Sequence, residues 1–94
     1  MKVTPKNLVR HELIGLKVMV LESQHKGYVG ISGLVIDETM NMLYVLHNGS
    51  VKALPKRVCT FIFELPDGTQ VKVEGSILVG RPEDRVKRPL KRRW

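Results

Sequence analysis

The chain has 94 residues, 43% of them apolar, and its 16 Lys/Arg exceed its nine Asp/Glu to give a net charge of +7. That length allows one small domain, near the lower end of what a single core stabilises. No apolar run reaches the roughly 20 residues of a membrane-spanning helix, the N-terminus MKVTPKNLVRHEL has no uninterrupted apolar stretch of signal-peptide type, and the single Cys59 excludes an internal disulfide. A reduced, cytoplasmic setting is the expectation.

The charge is uneven. Arg81 to Trp94 carries seven Lys/Arg against two acids, so five of the seven net charges lie in the last fourteen residues. Such a concentration favours a polyanionic partner, nucleic acid before a membrane.

In chain order, the first expected element is a short helix, with Thr4 as cap, Pro5 in its first turn and Gly15 as its stop after Ile14. From Leu16 the hydrophobic period becomes strand-like. In LKVMVLE, Leu16, Val18 and Val20 share one face and Lys17, Met19 and Leu21 the other. GYVGISGLVID is read as a strand with Val29, Ile31, Gly33 and Val35 inward, its glycines marking bends.

Asp37 to Asn41 is a turn, MLYVLH a strand, and Asn48-Gly49 a tight hairpin signal. VKAL then ends at Pro55, VCTFIFEL follows Lys56-Arg57, and Pro66-Asp67-Gly68-Thr69 turns the chain into QVKVEG. Six short strands in a meander predict a mainly β fold that closes into a small antiparallel barrel. Pro82, with Glu83 and Asp84 beside it, opens a C-terminal helix that Pro89 ends. The expected organisation is therefore one domain over 1–94: a helical segment 1–14, a barrel 15–79, a helix 80–88 and a flexible basic arm 89–94.

An active site finds no support. His11, His25 and His47 fall on different elements, no metal-ligand spacing occurs, and nucleophile-elbow, phosphate-loop and dinucleotide motifs are absent. Cys59 sits in an apolar run and reads as a buried, inert thiol. Asp37-Glu38 reads as a solvated corner of a turn rather than a magnesium site. Asn48-Gly49-Ser50 reads as turn chemistry rather than a glycosylation site.

Cationic candidates are more numerous. Arg81, Arg85 and Arg88 are spaced four and three apart, which on a helix places three guanidinium groups on one face. Such groups match phosphate oxygens in bidentate geometry. Lys87 adds to them, Lys91, Arg92 and Arg93 continue the charge, and Lys52, Lys56, Arg57, His25 and Lys26 extend the patch if folding gathers them. Lys72, between valines and beside Glu74, reads as an ordinary surface lysine. Aromatic residues are too few for an RRM-like stacking pair, so backbone and shape recognition suits this composition better than base reading.

Three stretches together resemble a known family, the archaeal protein component 1 of ribonuclease P, counterpart of a eukaryotic ribonuclease P/MRP subunit. They are NLVRHELIGLKVMV (Asn7 to Val20), YVGISGLVIDETMNMLYV (Tyr28 to Val45, similar to a VGI-x-G-x-V-x-x-E-T core) and GRPEDRVKR (Gly80 to Arg88). The resemblance implies an Sm-like, twisted six-stranded barrel flanked by terminal helices. It implies a non-catalytic RNA-binding subunit that supports a catalytic RNA in removing the 5′ leader of precursor tRNA. Magnesium would serve that RNA, with no cofactor bound by this chain. It also implies a zinc-ribbon protein subunit as partner, with Leu8, Val9, Arg10 and Leu13 as candidates for that contact as well as for core, and a monomer when isolated. The rival readings are a generic RNA-binding barrel of another ribonucleoprotein, such as the ribosome, and a protein-docking module without RNA contact.

Overall fold

A computed structural model describes residues 3–86. Six strands form one sheet: β1 Lys17–Ser23, β2 Ser32–Glu38, β3 Met42–His47, β4 Ser50–Pro55, β5 Cys59–Glu64 and β6 Gln70–Glu74. Their order is β4-β3-β2-β1-β5-β6, and every neighbouring pair is antiparallel. The expected alternation organises the core. Leu16, Val18 and Val20 are buried while Lys17, Met19 and Leu21 face solvent. Across the ladder Val18 meets Phe63 and Val20 meets Phe61, and both rings are fully buried. Val35, Leu43, Val45 and Leu54 complete the same inner face.

The turns follow from residue chemistry. Asn48 and Gly49 both take positive φ (49° and 81°) between His47 and Ser50, the backbone that a two-residue hairpin needs to match strand twist. Gly33 lies so close to β3 that a Cβ there would stand 1.8 Å from the Leu46 carbonyl oxygen. Any side chain at that position would force β2 off its neighbour.

Three expectations need correction. The N-terminal segment is not an α-helix. Thr4 and Asn7 cap each other in a tight turn (Thr4 N–H to Asn7 Oδ1, 2.7 Å; Asn7 N–H to Thr4 Oγ1, 3.3 Å), and one 3-10 turn, Leu8–Arg10, follows. His11 is extended, which ends the turn and carries Leu13 into the core. The strand read over GYVGISGLVID, from Gly27, begins only at Ser32. Lys26–Tyr28 is a 3-10 turn, and Gly30 at φ 87° reverses the chain, so Val29 is exposed and Ile31 only half-buried.

The sheet is also not closed: among the described residues β4 and β6 are edges with no ladder between them. Pro55 ends β4, and the edges approach each other through two 3-10 turns, Lys56–Val58 and Gly75–Leu78. A Cβ on Gly75 would lie 1.7 Å from the Lys56 carbonyl oxygen, so backbone packs on backbone where a barrel would have hydrogen bonds. After Gly80 a five-residue helix, α1 (Pro82–Val86), packs near the Leu8–Arg10 turn. The expected arm 89–94, with Lys87 and Arg88, lies outside the described residues.

Candidate nucleic-acid interface

Glu38 owes its position to a register shift. On β2, Val35 pairs with Val45, but Asp37 pairs with Tyr44 and Glu38 with Leu43, so one extra residue is accommodated at Ile36. A bulge of this kind moves every later side chain to the opposite face. Ile36 and Asp37 both point outward, and Glu38, which strict alternation would leave in solvent, turns inward to 7% exposure. Asp37 stays at the corner and accepts the Glu38 N–H at 2.8 Å.

The inward carboxylate receives two cations whose side chains are fully buried. Lys56 Nζ donates to Glu38 Oε2 at 2.6 Å, to the carbonyls of Thr39 (2.7 Å) and Gly80 (3.0 Å), and more weakly to Met40 (3.3 Å). Arg85 spreads both terminal nitrogens. Nη2 donates to Glu38 Oε1 and Oε2 (2.6 and 2.5 Å), and Nη1 to the carbonyls of Val9 (2.5 Å) and His11 (3.2 Å). Its Nε has no partner among the described residues. A charge taken from water needs this density of acceptors, and removing one member of such a cluster costs about 3–5 kcal/mol because an uncompensated charge remains inside. One carboxylate thus joins the N-terminal turn, the end of β2, the turn after β4 and the C-terminal helix.

This geometry overturns several candidate assignments. Lys56 and Arg85 are interior, so neither side chain meets a phosphate in this fold. Arg81 is exposed while Arg85 is buried, so the expected single arginine face does not form, and Arg88 lies outside the described residues. Asp37-Glu38 is half a solvated corner and half a structural centre. Of the two readings of Leu8, Val9 and Leu13, core and partner contact, burial supports core (0%, 5% and 0% exposed). Arg10 beside them is half-buried.

The remaining candidate cations of the described residues sit in three places. His25 and Lys26 adjoin Arg57, because the Gln24 N–H donates to the Val58 carbonyl at 3.0 Å. His25 also packs edge-on against Tyr28 at 6.0 Å. Arg57, however, shares a cleft with Glu22 and Glu74, which moderates its field. Lys52 stands exposed on the edge strand β4, and Arg81 lies at the entry to α1, where its carbonyl accepts the Arg85 N–H at 3.0 Å. Residues 3–86 hold ten Lys/Arg and nine Asp/Glu; with Lys56, Arg85 and Glu38 inside, eight of each remain outside the cluster. The exterior charges of the body therefore balance, and the basic excess lies in Lys2 and in Lys87, Arg88, Lys91, Arg92 and Arg93, outside the described residues.

Two further features bear on chemistry. Burial pushes the Cys59 thiol above its ordinary pKa, against a weaker opposing hydrogen bond to Ser23, which suits an unreactive side chain. No group of three His, Cys, Asp or Glu side chains able to hold a metal occurs among the described residues. No described helix is long and apolar enough to cross a membrane. The outer face of β2–β4 is apolar instead of basic: Leu34, Leu46 and Val51 are cross-strand neighbours and all exposed. Such a patch suits a protein contact, not a phosphate backbone.

Glu38 is the functional residue that sequence reasoning missed. Its signal was the E-T at the end of the V-x-x-E-T pattern, which reads in sequence as the solvated corner of a turn, whereas β2 runs through Glu38.

Comparison with known proteins bears on this arrangement. Residues 6–88 match the family model described as ribonuclease P/MRP, subunit p29. A ribonuclease P protein component 1 from Pyrococcus furiosus is 57% identical over 93 residues, spanning 99% of this chain and 70% of that protein. The component 1 from Methanocaldococcus jannaschii is 47% identical over 90 residues, spanning 95% and 94% of the two chains. A solved structure, of a homologue of the human RNase P protein Rpp29, superposes with a TM-score of 0.59 at 45% identity, covering 80% of this chain and 97% of the other.

Proposed function

We infer, from the premise that this chain belongs to the ribonuclease P/MRP p29 family, that it is the protein component 1 subunit of a ribonuclease P: a non-catalytic RNA-binding protein supporting a catalytic RNA as it cuts the 5′ leader from precursor tRNA. The observation that carries this reading is the family match over residues 6–88. In an enzyme whose catalyst is RNA, a protein subunit contributes positive charge where phosphates crowd together, and rigid surfaces that hold RNA and protein neighbours in place.

The exterior charge balance supports a division of labour. The sheet body is electrically even, so attraction to RNA rests on Arg81 and the basic run from Lys87 to Arg93, aided by Lys26, Arg57 and Lys52. Magnesium serves the RNA. The apolar outer face around Leu34, Leu46 and Val51 supports contact with a protein subunit of the same assembly, the zinc-ribbon subunit being the proposed partner. An Sm-like curvature of the sheet, open at its β4 and β6 edges, is the fold-level part of this reading.

Reconstitution tests it. Catalytic RNA is assayed for precursor-tRNA cleavage at low magnesium with and without this chain and its protein partner. Stimulation by the chain is expected, together with RNA binding whose log–log salt slope is roughly −3 to −4 if about four phosphates are neutralised. No stimulation, with tight binding to unrelated structured RNA, would favour a generic RNA-binding module.

A further inference from the structure

Replacing a buried ion cluster with apolar side chains of similar volume is often neutral or stabilising. A lysine kept fully buried in so small a body therefore calls for a use beyond stability. Its contacts indicate one. Besides Glu38, the Lys56 ammonium donates to the Thr39 and Gly80 carbonyls at 2.7 and 3.0 Å, and the Gly80 N–H donates to the Met40 carbonyl at 2.8 Å. Gly80 is thus held at both its N–H and its carbonyl. The main chain of Lys56 is fixed as well: its N–H donates to the Asn41 carbonyl at 2.8 Å, and its own carbonyl packs on Gly75. Lys56 and Gly80 are 24 residues apart in the chain, and each is followed directly by an exposed arginine, Arg57 and Arg81.

We propose that Lys56 is a positioning residue for RNA recognition: its bond to Gly80 fixes the spacing of Arg57 and Arg81, which together engage two phosphates of one folded RNA. This rests on the RNA-binding subunit reading above. A folded RNA presents its phosphates at set separations, whereas a flexible strand adjusts to whatever spacing the protein offers. A spacing set in advance therefore favours the folded partner alone. Glu22 and Glu74 share the cleft of Arg57 and weaken its pull on an arbitrary phosphate, so its contribution depends on being placed together with Arg81. Lysine suits the task because one compact ammonium directs three donors from a single atom, here to Glu38, Thr39 and Gly80.

A double-mutant cycle in the full chain tests this. Arg57→Ala, Arg81→Ala and the pair are titrated against the ribonuclease P catalytic RNA and against single-stranded polyuridine. The cycle is repeated with Lys56→Met, which leaves the Glu38–Arg85 pair in place and whose folding is checked by thermal unfolding. On the catalytic RNA the second arginine substitution is expected to cost about fivefold less affinity once the first is present. On polyuridine the two losses are independent. In Lys56→Met the coupling disappears, and affinity for the catalytic RNA falls by about the same fivefold while that for polyuridine stays within about twofold. A merely structural lysine would instead move both RNAs alike.

Independent losses on the catalytic RNA in the unaltered background overturn the proposal. So does a coupling that survives Lys56→Met. Should that variant not fold, the volume-preserving triple replacement Glu38→Leu, Lys56→Met, Arg85→Met takes its place; failure of both to fold makes the lysine a stability element only and likewise overturns the proposal. If the unaltered chain binds both RNAs equally and gives no stimulation of precursor-tRNA cleavage, the subunit reading fails instead.

Discussion

Arg81 and Arg85 stand one helical turn apart at the same corner of the molecule and do opposite things. Arg81 is in solvent; Arg85 is fully buried and shares a carboxylate with Lys56. The side-chain type is the same for both, and their spacing of four would place them on one face of a helix. The difference comes from the other side of the contact, where a bulge on β2 has turned Glu38 inward and the N-terminal turn presents two carbonyls. A basic residue near a basic tail is therefore an RNA contact only if the fold provides no acid for it.

The largest effect that separates the two regions is on stability. Glu38→Ala leaves two buried cations without their carboxylate and is expected to destabilise the fold by about 3–5 kcal/mol in urea unfolding, whatever the salt concentration. A loss under about 1 kcal/mol would mean that the cluster is hydrated and the distinction is false. The smaller effect lies on the other side. Arg81→Ala is expected to change stability by no more than about 0.5 kcal/mol while making the salt slope for RNA binding shallower by about 0.7–0.9. An unchanged slope would remove Arg81 from the interface and leave residues 87–93 as the source of attraction.

Much of this architecture was legible in the sequence. Alternation at Leu16, Val18 and Val20, the Asn48-Gly49 hairpin and the apolar run of β5 give strands and core where they were expected, because these signals are local. The failures share a cause in contacts between distant segments. Whether Thr4 starts a helix or a tight turn depends on Leu13 needing to reach the core. Whether six strands close depends on β4 meeting β6, and Pro55 and Gly75 divert both edges into 3-10 turns. Glu38 was misread as the corner of a turn because nothing local shows that β2 continues through it, and no count along the chain reveals the bulge that turns it inward. Lys56 and Arg85 were then misassigned as a consequence, since their burial is visible only once that carboxylate is inside.

Arginine-specific modification with phenylglyoxal, with and without the catalytic RNA, tests the central distinction most directly. The expected result is that Arg81 reacts in the free protein and is protected by RNA, while Arg85 resists the reagent in both states. Reaction of Arg85 in the free folded protein at the rate of Arg81 would contradict the account.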